Sequence, residues 1–222
     1  MERTIKITGK GKLSVKPDTI RLIITMEGIK KEYDMALSES ADMTERLKQI
    51  FSDLGFEKDN IKTLSFNVNA EYENFQGNER GWQRRFVGYK FVHRMKFEFP
   101  VDNKALGRIL YKLGHSDVRP ELSIEYTVAE PEKCKNSLLA NAVADAKAKA
   151  DVLSKASGVS LGEIVTIDYS WAEIDFVSRP MNQMMGAGYN VKRCEMDEAY
   201  DIDINPDEID VTDNVTIIWR IS

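Results

Sequence analysis

Two spacings of apolar residues alternate along the chain, and the points where one gives way to the other mark its elements. Ile5 and Ile7, then Leu13 and Val15, recur every second residue on either side of Gly9-Lys10-Gly11, which predicts a strand interrupted by a glycine bend or bulge. Pro17-Asp18 turns the chain. Ile20, Leu22, Ile24 and Met26 then make a second strand, with Arg21, Thr25 and Glu27 on its other face. From Tyr33 the spacing becomes helical: Leu37, Ser40, Ala41, Thr44, Leu47, Ile50, Phe51 and Leu54 fit one face, and Gly55 closes the helix. A third strand from Ile61 carries Leu64, Phe66, Val68, Ala70 and Tyr72 inward. Its partner holds Val87, Tyr89, Phe91, His93, Met95, Phe97 and Phe99 on one face and Lys90, Arg94, Lys96 and Glu98 on the other, with GNERGW at the tip between them. Both strands exceed the usual five or six residues, so the hairpin is expected to project beyond its sheet.

Asp102 caps a short helix with Leu106, Ile109, Leu110 and Leu113 on its apolar face, and Leu122, Ile124, Tyr126 and Val128 form the next strand. Pro131 opens the longest helix, whose stripe of Leu138, Leu139, Ala142, Val143, Ala146, Ala150 and Leu153 is mostly alanine. Small side chains let a helix lie close to the sheet it covers. Asp145 with Lys149, and Lys147 with Asp151, stand four apart as expected pairs on the outer face, and Gly158 stops the helix. Val165, Ile167, Tyr169 and Trp171 alternate directly afterwards, and Val211, Val215, Ile217, Trp219 and Ile221 form a terminal strand. The order ββαββαβαββ has too few helices to cover both sheet faces. It predicts an α+β fold, a mixed, largely antiparallel sheet with helices packed on one face, formed as a single domain over 1–222 with a long irregular loop at about 173–206.

Composition narrows the function classes. The 222 residues are 42% hydrophobic, enough for a buried core, and a net charge of -5 with a pI near 5.3 offers no basic field for a phosphate backbone. Nucleic acid is therefore not an expected partner. Cys134 and Cys194 are the only cysteines, and neither their number nor their spacing indicates a disulfide framework. The opening MERTIKITGKGKLSV has no uninterrupted apolar run, so it reads as neither signal peptide nor membrane anchor. As it stands the chain is expected in the cytoplasm; removal of a leader would place it in the periplasm or at the cell surface.

The residues also resemble a family. ITGKGKLSVKPDTIRLIITMEG is similar to the N-terminal signature of the SIMPL-domain family, domain of unknown function 541, in which V-x-G-x-G-x-(V/L)-x-V-x-P-D runs into an apolar strand. LGFEKDNIKTLSFNVNAEYE, VGYKFVHRMKFEF, NAVADAKAKADVLSKASGVSLGEIVTI and INPDEIDVTDNVTIIWRI resemble its later segments in order, with Asp207 where members commonly carry glycine. The resemblance implies an α+β fold, a tendency to oligomerise, and links to oxidative-stress defence and the bacterial envelope. It implies no catalytic residue.

Trp82, Arg84, Arg85 and Phe86 at the hairpin tip combine aromatic and guanidinium groups, the types that recur at protein interfaces; a solvated tip is the plainer reading. Met181, Met184, Met185, Cys194 and Met196 gather thioethers and a thiol, which suit Cu(I) or an oxidant-sensing loop, against the plainer reading of an adaptable apolar patch. Asp201, Asp203, Asn205 and Asp207 imitate a calcium loop, but Pro206 and Thr212 stand where glycine and a bidentate glutamate are needed. His93 reads as a satisfied core or interface histidine. His115, Ser116 and Asp117 spell a triad whose adjacency in a turn cannot align nucleophile, base and orienter. No H-E-x-x-H, C-x-x-C or phosphate-cradling glycine loop occurs, and no cofactor is expected. The expectation is a non-enzymatic protein acting by self-assembly, as a homo-oligomer, or by binding a protein partner, without membrane insertion. The alternative is a soft-metal or small-ligand protein using the methionine and cysteine loop.

Overall fold

The computed structural model describes residues 3–76, 82–169, 174–179, 193–194 and 199–222. In chain order the elements are β1 (Thr4–Val15), β2 (Thr19–Lys30), α1 (Tyr33–Asp53), β3 (Lys62–Gln76), β4 (Trp82–Pro100), α2 (Asn103–Gly114), β5 (Glu121–Thr127), α3 (Pro131–Ala156), β6 (Leu161–Tyr169), β7 (Val177–Ser178), β8 (Arg193–Cys194), β9 (Ala199–Tyr200) and β10 (Ile209–Ile221). The long elements follow the predicted order, and the class is α+β with antiparallel pairing of β1 with β10, β10 with β6, and β4 with both β2 and β3. Three two-residue strands fall within the stretch read as irregular. The chain divides into two compact units, one of Met1–Asp18, Thr127–Ser178 and Pro206–Ser222, the other of Thr19–Tyr126 and Arg179–Asn205.

In the first unit the strands run β1–β10–β6 beneath α3. Ile7, Val215, Ile217 and Trp219 pack against Ala142, Ala146 and Ala150, so the buried row of the helix keeps a strict spacing of four and leaves Val143 and Leu153 exposed. The glycines of β1 make no bulge: its register with β10 is unbroken from Thr4 opposite Arg220 to Val15 opposite Ile209. Their reason is proximity. A Cβ on Gly9 would stand 2.1 Å from the Ala142 carbonyl oxygen, and one on Gly11 2.2 Å from that of Leu138. Alanine on the helix and glycine on the strand are two halves of one close approach.

The same helix covers the outer edge of β1. Asn141 Nδ2 donates to the Lys12 carbonyl at 3.0 Å, the Lys10 N–H donates to Asp145 Oδ2 at 2.7 Å, and Lys149 Nζ donates to the Thr8 carbonyl at 3.3 Å. Asp145 and Lys149 do pair, at 2.7 Å, yet they also serve the strand's backbone instead of standing free in solvent. A second apolar cluster, Val128, Phe176 and Ile209, takes in the half-buried free thiol of Cys134.

In the second unit β3, β4, β2 and β5 lie in that order. One face meets α1 and α2 through Ile20, Leu22, Ile24, Met26, Phe91, Met95, Phe97, Leu106 and Ile109. On α1 the buried positions are Ala36, Ser40, Leu47 and Phe51, while Leu37, expected inside, is exposed. Asp102 caps α2 by accepting from the N–H groups of Lys104 and Ala105 at 2.9 and 3.0 Å. The other face carries charge: Arg21 Nε meets Glu98 at 2.6 Å, and the nearly buried Glu125 takes Arg179 at 2.7 Å and Arg21 at 3.6 Å. Ile202 and Ile204 pack against the core, which turns Asp201 and Asp203 to solvent and accounts for the alternation that imitated a calcium loop.

Candidate functional site

The hairpin outgrows its sheet. β2 accompanies β4 only as far as Lys30 opposite Tyr89, whereas β3 and β4 stay paired out to Gln76 opposite Trp82. From Glu71 and Gly88 outward it is a two-stranded ribbon, a form of marginal stability in water without side-chain support.

That support is aromatic. The register slips between Glu71, opposite Gly88, and Tyr72, opposite Phe86, leaving Val87 as the extra residue. The slip sits where the end of β2 presses on β4: a Cβ on Gly88 would stand 2.3 Å from the Lys30 carbonyl oxygen. Phe86, not Val87, thereby joins Tyr89. A ladder of rings runs outward from Tyr33 to Tyr89 (5.5 Å between centroids), Phe86 (5.3 Å) and Tyr72 (5.6 Å), and the Arg84 guanidinium lies 4.7 Å over the Tyr72 ring. On the opposite face Arg85 pairs with Glu73, its Nε donating at 2.6 Å, and lies 5.5 Å over the Phe75 ring. Of the four residues singled out from sequence, alternation puts Trp82, Arg84 and Phe86 together and Arg85 on the other face. Trp82 keeps 77% of its surface exposed.

Tyr33, Tyr72, Phe75 and Tyr89 complete the site and were not read as part of it. One signal for it was present: β4 is 19 residues long against 12 for β2, so its outer part cannot have a third strand beside it. Leu64, Phe66 and Tyr72, expected inward, are exposed: Leu64 is the extra residue at a register slip between Thr63 and Ser65, Phe66 only lines the rim of a shallow groove beside α1, and Tyr72 lies on the ribbon beyond the end of β2.

His93 lies at the root of the hairpin, in a shallow groove with Leu37, Ser40, Thr44, Lys48 and Phe66. Thr44 Oγ1 donates to the Ser40 carbonyl at 2.7 Å, so toward His93 Nδ1, at 3.2 Å, it accepts; the ring is then the Nδ1–H tautomer, and Nε2 accepts from Thr63 Oγ1 at 2.9 Å. Burial, and secondarily the charge of Lys48, holds the imidazole below its ordinary pKa. The triad letters disperse: His115 Nδ1 meets the Tyr111 carbonyl, Ser116 donates to that of Leu113, and Asp117 pairs with Arg46.

Met181, Met184, Met185 and Met196 lie outside the described residues, and Cys194 is placed only by its backbone, in the short ladder of β8 with β9. Among the described residues no group of three histidine, cysteine or acidic side chains could hold a metal ion. No helix among them is long and apolar enough to cross a membrane.

The family model SIMPL, described as a protein of unknown function (DUF541), matches residues 5–219. No curated protein matches the chain.

Proposed function

The chain belongs to the SIMPL (DUF541) family, and on that premise we propose that it acts by contact, assembling with copies of itself through the β3–β4 hairpin. One observation carries this reading: the ribbon holds Trp82, Phe86, Tyr72 and Phe75 and the guanidiniums of Arg84 and Arg85 outside the three hydrophobic clusters. Tryptophan, tyrosine and arginine are enriched among the residues that dominate interface energetics, the rings because they bury large area at low entropic cost and arginine because its planar guanidinium stacks and forms forked hydrogen bonds. A ribbon stiffened by stacked rings presents them with little left to order. The setting proposed for such assembly is oxidative-stress or envelope defence, and it stands or falls on whether a strain lacking the gene survives peroxide worse than one complemented with it.

Light scattering on the eluting protein tests the contact itself. The wild type is expected at a multiple of 25.3 kDa, and the variant Trp82→Ser, unchanged in circular dichroism because Trp82 is highly exposed and stands outside the ring ladder, at a lower mass. Equal masses would retire the hairpin as the contact surface.

A further inference from the structure

α3 guards the outer edge of β1 along only part of its length. The Lys12 carbonyl, the Lys10 N–H and the Thr8 carbonyl point away from β10 and are met by Asn141, Asp145 and Lys149. Because the register with β10 is unbroken, the even-numbered residues keep that outward direction to the start of the strand. The N–H and C=O groups of Thr4 and Lys6 and the N–H of Thr8 therefore face outward too, and nothing among the described residues pairs with them. The guarding row of α3 recurs every fourth residue, so its next member is Leu153, which can neither donate nor accept. Leu153 and Val152, 46% and 66% exposed, stand with Ala148 along one wall of a groove of about 540 Å³ whose other wall is Ile7 and the strand edge itself. An open strand edge and an apolar groove of ligand-cleft size thus lie side by side.

We infer that the Thr4–Thr8 edge of β1 is a docking site for an extended peptide of another protein, one whose residues alternate apolar and acidic. The backbone selects a peptide: the Lys6 N–H, Lys6 carbonyl and Thr8 N–H offer donor, acceptor and donor in turn, which an added main chain meets and an acyl chain in the groove does not. The groove selects half of its side chains. Residues of the added strand on the α3 side lie against Ala148, Val152 and Leu153 and must be apolar. Charge selects the other half. On the face away from α3 stand Lys6 and, beyond Thr8, Lys10, both exposed and neither in an ion pair among the described residues. Lysine on an edge turns most strands away, but opposite charges across a strand pair attract, so these lysines admit an acid-bearing strand and reject a basic one. The chain's own alternating stretch, Asp201 to Ile204, is already committed, with Ile202 and Ile204 packed on the core of the second unit. This edge is separate from the hairpin, and its use does not depend on assembly.

Fluorescence polarisation with a labelled, end-blocked Glu-Val-Glu-Val-Glu-Val probe tests this docking on the full chain. The protein is expected to bind it and to ignore Lys-Val-Lys-Val-Lys-Val. Lys6→Glu and Val152→Asp should each weaken binding about tenfold, with circular dichroism unchanged because both side chains are exposed. Two further probes, one N-methylated on every valine and the other on every glutamate, read the backbone contact. Only alternate N–H groups of an added strand face its neighbour, so one of these probes should lose binding and the other keep it. No binding up to the solubility of the probe, equal binding of the lysine probe, unchanged affinity of either variant, or the same behaviour of both methylated probes overturns the inference.

Discussion

The glycines of β1 show at the residue scale how closely the two layers of the first unit meet. Gly9→Ala would set a methyl group 2.1 Å from the Ala142 carbonyl oxygen and 2.5 Å from the Ala146 nitrogen. Backbone cannot yield as a flexible side chain does, so the strand or helix must move. The expected loss is about 3 kcal/mol, read as a lower urea midpoint, with Lys10→Ala between the two glycines as the nearly neutral control. His93 makes a different prediction. Its pKa is lowered from 6.5 in the folded protein by burial and by Lys48, so above pH 6.5 the ring is neutral in both states and contributes no pH dependence. As pH falls below 6.5 the unfolded chain takes up the proton first and stability drops, levelling only below the folded pKa. Urea midpoints for the wild type are expected to fall over that window more steeply than for His93→Asn; parallel profiles would contradict the assignment. That His93 is satisfied was legible from its place on an apolar face, whereas its partners Thr44 and Thr63 belong to other elements and could not be named from local pattern.

Elements were legible where local spacing determined them and illegible where a neighbour did. The order of long strands and helices, the Asp102 cap and the projecting hairpin all follow from periodicity, capping chemistry and length. The continuity of β1 does not, because Gly-Lys-Gly serves a bulge and a close helix contact equally well and only the position of α3 decides between them. The slip at Val87 was hidden for the same reason: Gly88 answers to the end of β2, which is remote in sequence. The α3 row Asn141, Asp145 and Lys149 reads from sequence as a solvated helix face, and spacing alone cannot show that it reaches a strand edge. Its work as an edge guard is measurable. Asn141→Ala/Asp145→Ala/Lys149→Ala should leave the Leu138, Ala142 and Ala146 packing intact while exposing the backbone of β1 to other strands. Concentration-dependent growth in scattering, absent from the wild type, is the expected result; behaviour identical to the wild type would mean that the edge needs no guard.

For the whole molecule, the family and the α+β class were legible because signature segments recur in order along the chain and residues 5–219 match the family model. The division into two compact units was not, since each is assembled from distant stretches of sequence, the first from three. The candidate contact surface was half legible: composition at the tip pointed to Trp82, Arg84, Arg85 and Phe86, but sorting them onto two faces and adding Tyr72 and Tyr89 required the register. The proposed function rests on one claim, that the protein acts assembled. Sedimentation or light scattering of the unmodified chain across a hundredfold range of concentration tests it most directly. Assembly through the hairpin requires a fixed multiple of 25.3 kDa at every concentration. A mass of 25.3 kDa throughout would contradict it.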